Sequence, residues 1–137
     1  MEQLMRQLLI ATALALLTVP SAVAADGLRV VDGDTIHLNG MPIRLLHIDT
    51  PETWSPRCQR ELELGMVATK RLEELLDGHE VTYQATGYDR FGRVLARVYA
   101  DGVDVSEVLL REGHALPYVP GPHAKAKRLA TWCAIGK

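Results

Sequence analysis

Two short loops of this sequence concentrate carboxylates beside an arginine. They are Val31–Thr35, which reads Val-Asp-Gly-Asp-Thr, and Arg44–Glu52, which reads Arg-Leu-Leu-His-Ile-Asp-Thr-Pro-Glu. The carboxylates of Asp34, Asp49 and Glu52 are hard oxygen donors, the ligands that a hard cation prefers. The guanidinium group that opens the second loop could grip a phosphate beside such a cation through parallel hydrogen bonds. The two loops therefore favour phosphodiester chemistry over a merely acidic surface.

The backbone chemistry of both loops is compatible with a metal site. Gly33 predicts a sharp reversal that uses dihedral angles forbidden to a side chain. Pro51 has no N–H and pushes Thr50 into an extended conformation, which frees the Thr50 carbonyl to act as an oxygen ligand. Arg44 and Asp49 have opposite parity, so the strand that carries Arg44 must end or bulge before Asp49. Either loop taken alone is more often an ordinary turn than a functional site.

A third segment, Asp89–Arg93, reads Asp-Arg-Phe-Gly-Arg and leads into the alternating stretch Val94–Ala100. Together with the two acidic loops, it resembles the staphylococcal nuclease (thermonuclease) family in order and spacing, from about Val30 to Tyr118. The resemblance implies an endonuclease that uses calcium (Ca²⁺) to hydrolyse phosphodiester bonds in DNA and RNA. It also implies a mainly β, α+β fold: a five-stranded OB-fold barrel with a helix between strands 3 and 4 and short C-terminal helices.

The resemblance assigns the metal ligands and the base. It implies that Asp34, Asp49 and the Thr50 carbonyl bind calcium and that Glu52 is the general base for the attacking water. A separate base is useful because calcium activates water less strongly than zinc. The 5 histidines form no short-spaced pair typical of zinc metalloproteases.

The resemblance also assigns the phosphate and nucleotide contacts. Arg44 and Arg93 match the two arginines that bind the phosphate, and such electrostatic stabilisation is usually the largest catalytic contribution. Tyr118 is similar in context to a tyrosine that lines the nucleotide pocket. Phe91 stands where the family usually has a tyrosine whose hydroxyl contacts a terminal phosphate. Stacking on a base needs no hydroxyl, whereas recognition of an end phosphate would lose that contact.

Two alternatives belong to other functional classes. A catalytically inactive OB-fold module could bind nucleic acid or protein, but such a module would have no need of a complete set of site residues. A calcium protein without catalysis would have no use for the arginines. All five side chains that matter are present, which favours the nuclease: Asp34, Arg44, Asp49, Glu52 and Arg93.

The N-terminus predicts the compartment. An apolar run, Leu8–Val19, precedes a proline and the small-residue stretch Ser21–Ala25, the layout of a secretory signal peptide cleaved after Ala24 or Ala25. The run is shorter than the ~20 residues that span a bilayer, although an uncleaved membrane anchor is the alternative. We expect a signal peptide over residues 1–25 and one nuclease-like domain over 26–137. The mature protein is expected to be secreted or periplasmic, monomeric and without stable membrane association.

The sequence contains 2 cysteines, Cys58 and Cys133. In an exported protein paired thiols are the usual state, so we predict a disulfide that ties the C-terminal segment to the rest of the domain. Two free thiols or an intermolecular bridge are the alternatives.

The net charge of −2 excludes the broad basic field of a tight non-specific nucleic-acid binder. Any affinity for nucleic acid must therefore come from a local site and its cation. The small basic cluster Lys125–Arg128 either contacts a nucleic-acid backbone or forms a solvated helix face.

Hydrophobic periodicity and turn residues predict the elements. Five strands are expected, at Leu28–Val31, Thr35–Leu38, Met41–Ile48, Val81–Thr86 and Val94–Ala100. Helices are expected at Gln59–Asp77, where Leu62, Met66, Thr69, Leu72 and Leu76 recur at helical spacing, from Asp104 to Gly113 after a capping box, and from near Pro122.

Overall fold

The computed structural model describes residues 27–134, so the predicted signal peptide lies outside the described residues. Within that part of the chain, no helix is both long and apolar enough to cross a membrane. The elements are β1 (Leu28–Asp32), β2 (Thr35–Leu38), β3 (Met41–Leu45), β4 (Ile48–Asp49), α1 (Gln59–Leu76), β5 (Val81–Tyr88), β6 (Val94–Ala100), β7 (Val103–Asp104), α2 (Val105–Arg111), β8 (Leu116–Pro117) and α3 (Pro122–Cys133).

The main sheet has the order β1-β2-β3-β6-β5, with β7 paired to β6, and β4 pairs with β8 in a separate small sheet. Strands β3 and β6 are parallel, and the other ladders are antiparallel. This is the strand order of an OB-like fold with its helix inserted after β4, and the predicted mixed α+β class is confirmed. Within residues 27–134 no ladder joins β1 to β5.

The core lies between the sheet and α1. Every second residue of β6 is buried, as the alternating sequence predicts, and these residues pack with the fully buried Leu72 and Leu76 of α1. Each large apolar side chain buried in this way stabilises the fold by about 1.5–3 kcal/mol. Met66 was predicted on the buried stripe of α1 but is exposed. The adjacent Gly65 is buried instead, because a residue without a side chain allows the helix to approach its neighbours closely.

Strand β3 is shorter than predicted. It ends at Leu45, and His47 adopts a left-handed conformation with a φ of 67° before β4 begins at Ile48. The parity of Arg44 and Asp49 required such an interruption, and the structure places it at this turn.

A disulfide joins Cys58 to Cys133, with 5.9 Å between their Cα atoms. Cys58 is also the N-cap of α1, where its Sγ accepts a hydrogen bond from the Glu61 N–H. Cys133 is the last residue of α3 and follows the buried Trp132. The bond therefore ties the end of α3 to the start of α1.

Replacing both Cys58 and Cys133 by serine is expected to lower the free energy of unfolding by up to about 4–4.5 kcal/mol. The bond closes a loop across a sequence separation of 75 residues, and losing it enlarges the conformational freedom of the unfolded chain. Serine at position 58 can still cap α1, so the variant tests the bond rather than the cap. Urea denaturation measures the effect. Reductant should destabilise the wild type and leave the double variant unchanged; equal stability of both oxidised proteins would contradict the prediction.

Candidate active site

Arg44 is the centre of a polar cluster at the end of β3. Its Nη1 donates to the carbonyl oxygens of Leu45 and Ile48, at 2.8 and 2.9 Å. Its Nη2 lies 3.1 Å from Asp34 Oδ2 and 3.1 Å from Asp49 Oδ1. The guanidinium group is thus held from two sides, and within residues 27–134 its Nε donates no hydrogen bond. The structure brings three of the predicted site residues into direct contact.

Asp34 is buried and joins the two acidic loops. Its Oδ1 accepts from the Thr35 hydroxyl at 3.0 Å, and its Oδ2 accepts from the Thr50 backbone N–H at 3.1 Å. The bond to Thr50 places the second predicted ligand segment directly beside the first. These contacts fix the carboxylate in one orientation, as a metal ligand requires.

Gly33 is required for space rather than for its dihedral angles. It is not among the glycines with positive φ, so the predicted reason for this glycine is wrong. A Cβ atom at this position would lie 2.8 Å from the Ala68 Cβ and 2.9 Å from the Thr50 Cγ2. The loop between β1 and β2 therefore packs directly against α1 and Thr50, and a side chain would push it away from them.

Asp32 is a member of the cluster that sequence reasoning missed. Its Oδ1 accepts a hydrogen bond from the Asp34 N–H at 3.1 Å. Burial, the charge of Asp34 and then the charge of Glu52 raise the pKa of Asp32 to about 7. Its place in the Asp-Gly-Asp motif was the available signal. Burial is the largest cause of this rise, and repulsion between neighbouring carboxylates adds to it.

Asp49 shares this environment. Burial and the charge of Asp34 raise its pKa, and the guanidinium groups of Arg128 and Arg44 oppose that rise. Carboxylate oxygens with an excess of negative charge are the donor set that suits a hard divalent cation. The residues present therefore fit calcium.

Glu52 is exposed and has one carboxylate oxygen engaged. Its Oε1 accepts from the backbone N–H groups of Thr53 and Trp54, both at 2.9 Å. Oε2 accepts no hydrogen bond from residues 27–134. The backbone N–H of Glu52 donates to Glu61 Oε1 at 3.2 Å. Because the Glu52 backbone is held in place and Oε2 accepts none of these bonds, the side chain is suited to accept a proton from water.

Glu61 organises the loop that carries Glu52, a role that the sequence analysis did not assign. It is 2% exposed, and its Oε2 accepts from the Arg57 N–H at 2.8 Å while Oε1 accepts from Glu52. Its own N–H donates to the N-cap residue Cys58. A glutamate three residues after an N-cap is the pattern of a capping box, and this pattern could have identified it.

Gly65 lets α1 pack on the same loop. A Cβ atom there would lie 2.7 Å from the Pro51 carbonyl oxygen and 2.8 Å from the Thr53 Cγ2. The backbone of the helix and the backbone of the loop are therefore in direct contact on one side of Glu52.

Arg93 is held by its own loop. Its Nε donates to Asp89 Oδ2 at 2.7 Å, while Asp89 Oδ1 accepts from the N–H groups of Phe91 and Arg93, both at 2.9 Å. Burial acts to raise the pKa of Asp89, but the hydrogen bonds from Arg93 and Phe91 lower it overall. Asp89 therefore orients Arg93 through one nitrogen and leaves both Nη groups available.

The parallel register of β3 and β6 relates the two arginines. Ile43 pairs with Val94, and both are buried against the core. Arg44 and its partner Leu95 therefore point to the opposite face. Arg93 immediately precedes the strand that pairs with the strand of Arg44.

The two predicted nucleotide contacts lie in different surroundings. Phe91 is 69% exposed, with the Cζ atoms of Arg90 and Arg93 at 4.7 and 5.5 Å from its ring centroid. Tyr118 follows β8, and its N–H donates to the His47 carbonyl at 2.9 Å. Phe91 thus belongs to the Arg93 loop, whereas Tyr118 lies beside the strand that carries Asp49.

Arg128 is another residue whose surroundings differ from those expected from the sequence. The cluster Lys125–Arg128 was predicted as a solvated face or a nucleic-acid contact, yet Arg128 is 7% exposed. Its Nε donates to Asp49 Oδ2 at 2.8 Å, and its Nη1 donates to the Val119 carbonyl at 2.9 Å. The spacing of four residues to Trp132, also buried, was the signal, because such residues share one helix face.

Comparisons with known proteins identify the family of this chain. The family described as staphylococcal nuclease homologue matches residues 42–132, from β3 to α3. The SPbeta prophage-derived endonuclease YokF of Bacillus subtilis is 42% identical over 130 residues, which cover 79% of this chain and 43% of that protein. The endonuclease YncB of the same organism is 42% identical over 106 residues, covering 71% and 49%. An uncharacterized endonuclease of Escherichia coli is 37% identical over 95 residues, covering 66% and 58%.

The chain spans about half the length of the curated relatives it matches. The family match begins after the loop of Asp32 and Asp34, so the contacts of Asp34 to Arg44 and Thr50 connect that loop to the matched region. This chain is a member of the staphylococcal nuclease homologue family.

Proposed function

We propose that this protein is a secreted calcium-dependent nuclease that hydrolyses phosphodiester bonds in DNA and RNA. The observation that carries the proposal is the position of Arg44 Nη2, 3.1 Å from both Asp34 and Asp49. One cluster thus holds a phosphate-binding group and two oxygen ligands. The names of the relatives, which are endonucleases, support the same reaction class.

The residues that would hold calcium are Asp34, Asp49 and the Thr50 carbonyl. When bound, calcium would neutralise charge on the phosphate and favour attack by water. Arg44, on β3, and Arg93, just before the paired strand β6, would bind the non-bridging oxygens of the same phosphate. Guanidinium groups held in advance stabilise the charge that develops there without reorganisation.

Glu52 is the proposed base. It accepts a proton from water, the water oxygen forms a bond to phosphorus, and the bond from phosphorus to the leaving oxygen breaks. The leaving oxygen then takes up a proton. Oε2 of Glu52 is suited to this step because Oε1 is engaged with Thr53 and Trp54.

A secreted or periplasmic location and a monomeric state are part of the proposal. The disulfide supports export, because such bonds persist in oxidising compartments and are rare in the bacterial cytosol.

Digestion of plasmid DNA and of RNA by the mature protein tests the proposal. Chelation of calcium should abolish digestion, and added calcium should restore it. Magnesium should serve poorly because it keeps its waters and demands near-octahedral geometry. Full activity in excess chelator would contradict the metal mechanism. Failure to digest either nucleic acid with calcium present would favour the binding module instead, and gel-shift assays with the same substrates would then detect it.

A further inference from the structure

Helix α3 has an unusual buried face. Of its described residues only Arg128 and Trp132 are buried, and the disulfide at Cys133 fixes its end. The burial of Trp132 is the ordinary packing of an apolar side chain. The burial of Arg128 is unusual, because it places a guanidinium group in the interior, five residues before the anchored end of the helix.

The contacts of Arg128 join two separate segments. Its Nε donates a hydrogen bond to Asp49 Oδ2 on β4, and its Nη1 donates to the Val119 carbonyl beyond β8. Its Cζ atom also lies 5.3 Å from the ring centroid of Tyr118. A planar fork with several fixed donors can make these contacts at once, which an ammonium group cannot.

Stability is a weak explanation for this arrangement. The desolvation of a buried ion pair offsets most of the attraction between its partners, so apolar residues of similar volume often stabilise a fold as well or better. The specific feature of Arg128 is its partner, because Asp49 is a proposed calcium ligand whose other oxygen already contacts Arg44.

We propose that Arg128 is a positioning residue that fixes the Asp49 carboxylate for calcium and locks it to the segment of Tyr118 and Val119. The inference rests on the proposed function, since it concerns the same site. In this proposal α3 contributes to the metal site through a residue that orients a ligand and is not itself a ligand.

The direction in which calcium affinity changes when Arg128 is replaced distinguishes a positioning role from simple charge repulsion. A positive charge near the site repels a bound dication, so removing that charge alone should tighten calcium binding. Losing the contact that orients Asp49 should weaken calcium binding. Neutralising a partner that orients a metal ligand typically lowers metal affinity by about 10–100-fold.

Calcium titration by calorimetry, without nucleic acid, tests the inference on the disulfide-bonded protein. Arg128→Gln is expected to raise the calcium Kd by about 10–100-fold. Arg128→Lys is expected to raise it also, because lysine keeps the charge but cannot reproduce the fork. Lys127→Gln is the matched control: it removes an exposed charge from the same helix and should leave the Kd unchanged or slightly lower. Thermal unfolding in the absence of calcium verifies that each variant is folded.

An unchanged or lower Kd for Arg128→Gln would overturn the inference, and so would wild-type affinity in Arg128→Lys. If Arg128→Gln does not fold, the lysine variant decides. A wild-type protein that binds calcium but digests no nucleic acid would overturn the proposed function and leave the role of Arg128 standing.

Discussion

Glu52→Gln is expected to lower kcat for DNA digestion by about 10²–10⁴-fold. Glutamine keeps the size of the side chain and can still accept hydrogen bonds from Thr53 and Trp54 through its amide oxygen. It cannot accept a proton from water, so the chemical step should slow while the loop stays in place. Initial rates on plasmid DNA at saturating calcium measure the effect.

Asp34→Asn is the comparison that separates a base from a ligand. Asp34 is buried among residues of the proposed metal site, so its variant should lose calcium affinity more than Glu52→Gln does. If both variants lose calcium equally and keep their rate at saturating metal, Glu52 is a ligand and another group activates the water.

Arg93→Ala is expected to lower kcat by about 10²-fold or more, with the fold intact. The side chain is partly exposed, and within residues 27–134 its ion pair is with Asp89 and its ring contact is with Phe91, both in its own loop, so truncating it removes little packing. Both of its Nη groups would be lost from the phosphate. Steady-state kinetics and thermal unfolding of the same sample would report the two effects separately.

Arg97→Ala is a matched control for that substitution. Arg97 is also paired with an aspartate, Asp104, but it lies on β6, four residues after Arg93. It should leave kcat close to the wild-type value. Equal losses in both variants would assign the effect of Arg93→Ala to general charge rather than to a phosphate contact.

The local elements could be predicted from the sequence because their signals are local. Alternation along Val94–Ala100 and the helical spacing through Leu72 and Leu76 are properties of neighbouring residues, and the structure confirms both. The interruption before Asp49 was predictable for a similar reason, since two functional side chains of opposite parity cannot share a regular strand.

The contacts that complete the site were not predictable in this way. Arg128 and Asp49 are 79 residues apart, and neither sequence neighbourhood identifies the other. Glu61 had no role assigned from the sequence, and its carboxylate accepts a hydrogen bond from Glu52, nine residues earlier. The need for Gly33 follows from Ala68 and Thr50, which meet it only after folding. Each of these depends on tertiary packing, which periodicity does not report.

Gly65 has a consequence for attempts to engineer a more robust enzyme. In the interior of a helix, replacing glycine by alanine ordinarily stabilises by about 0.5–1 kcal/mol, which makes this position an obvious choice for a thermostable variant. Here the added methyl group would meet the Pro51 carbonyl at 2.7 Å. The helix would have to retreat from the loop that presents Glu52, so helix propensity and catalytic geometry make opposite demands on one residue. Optimising this helix in isolation would therefore displace the loop that presents Glu52, and consensus helix formers belong instead on its exposed face.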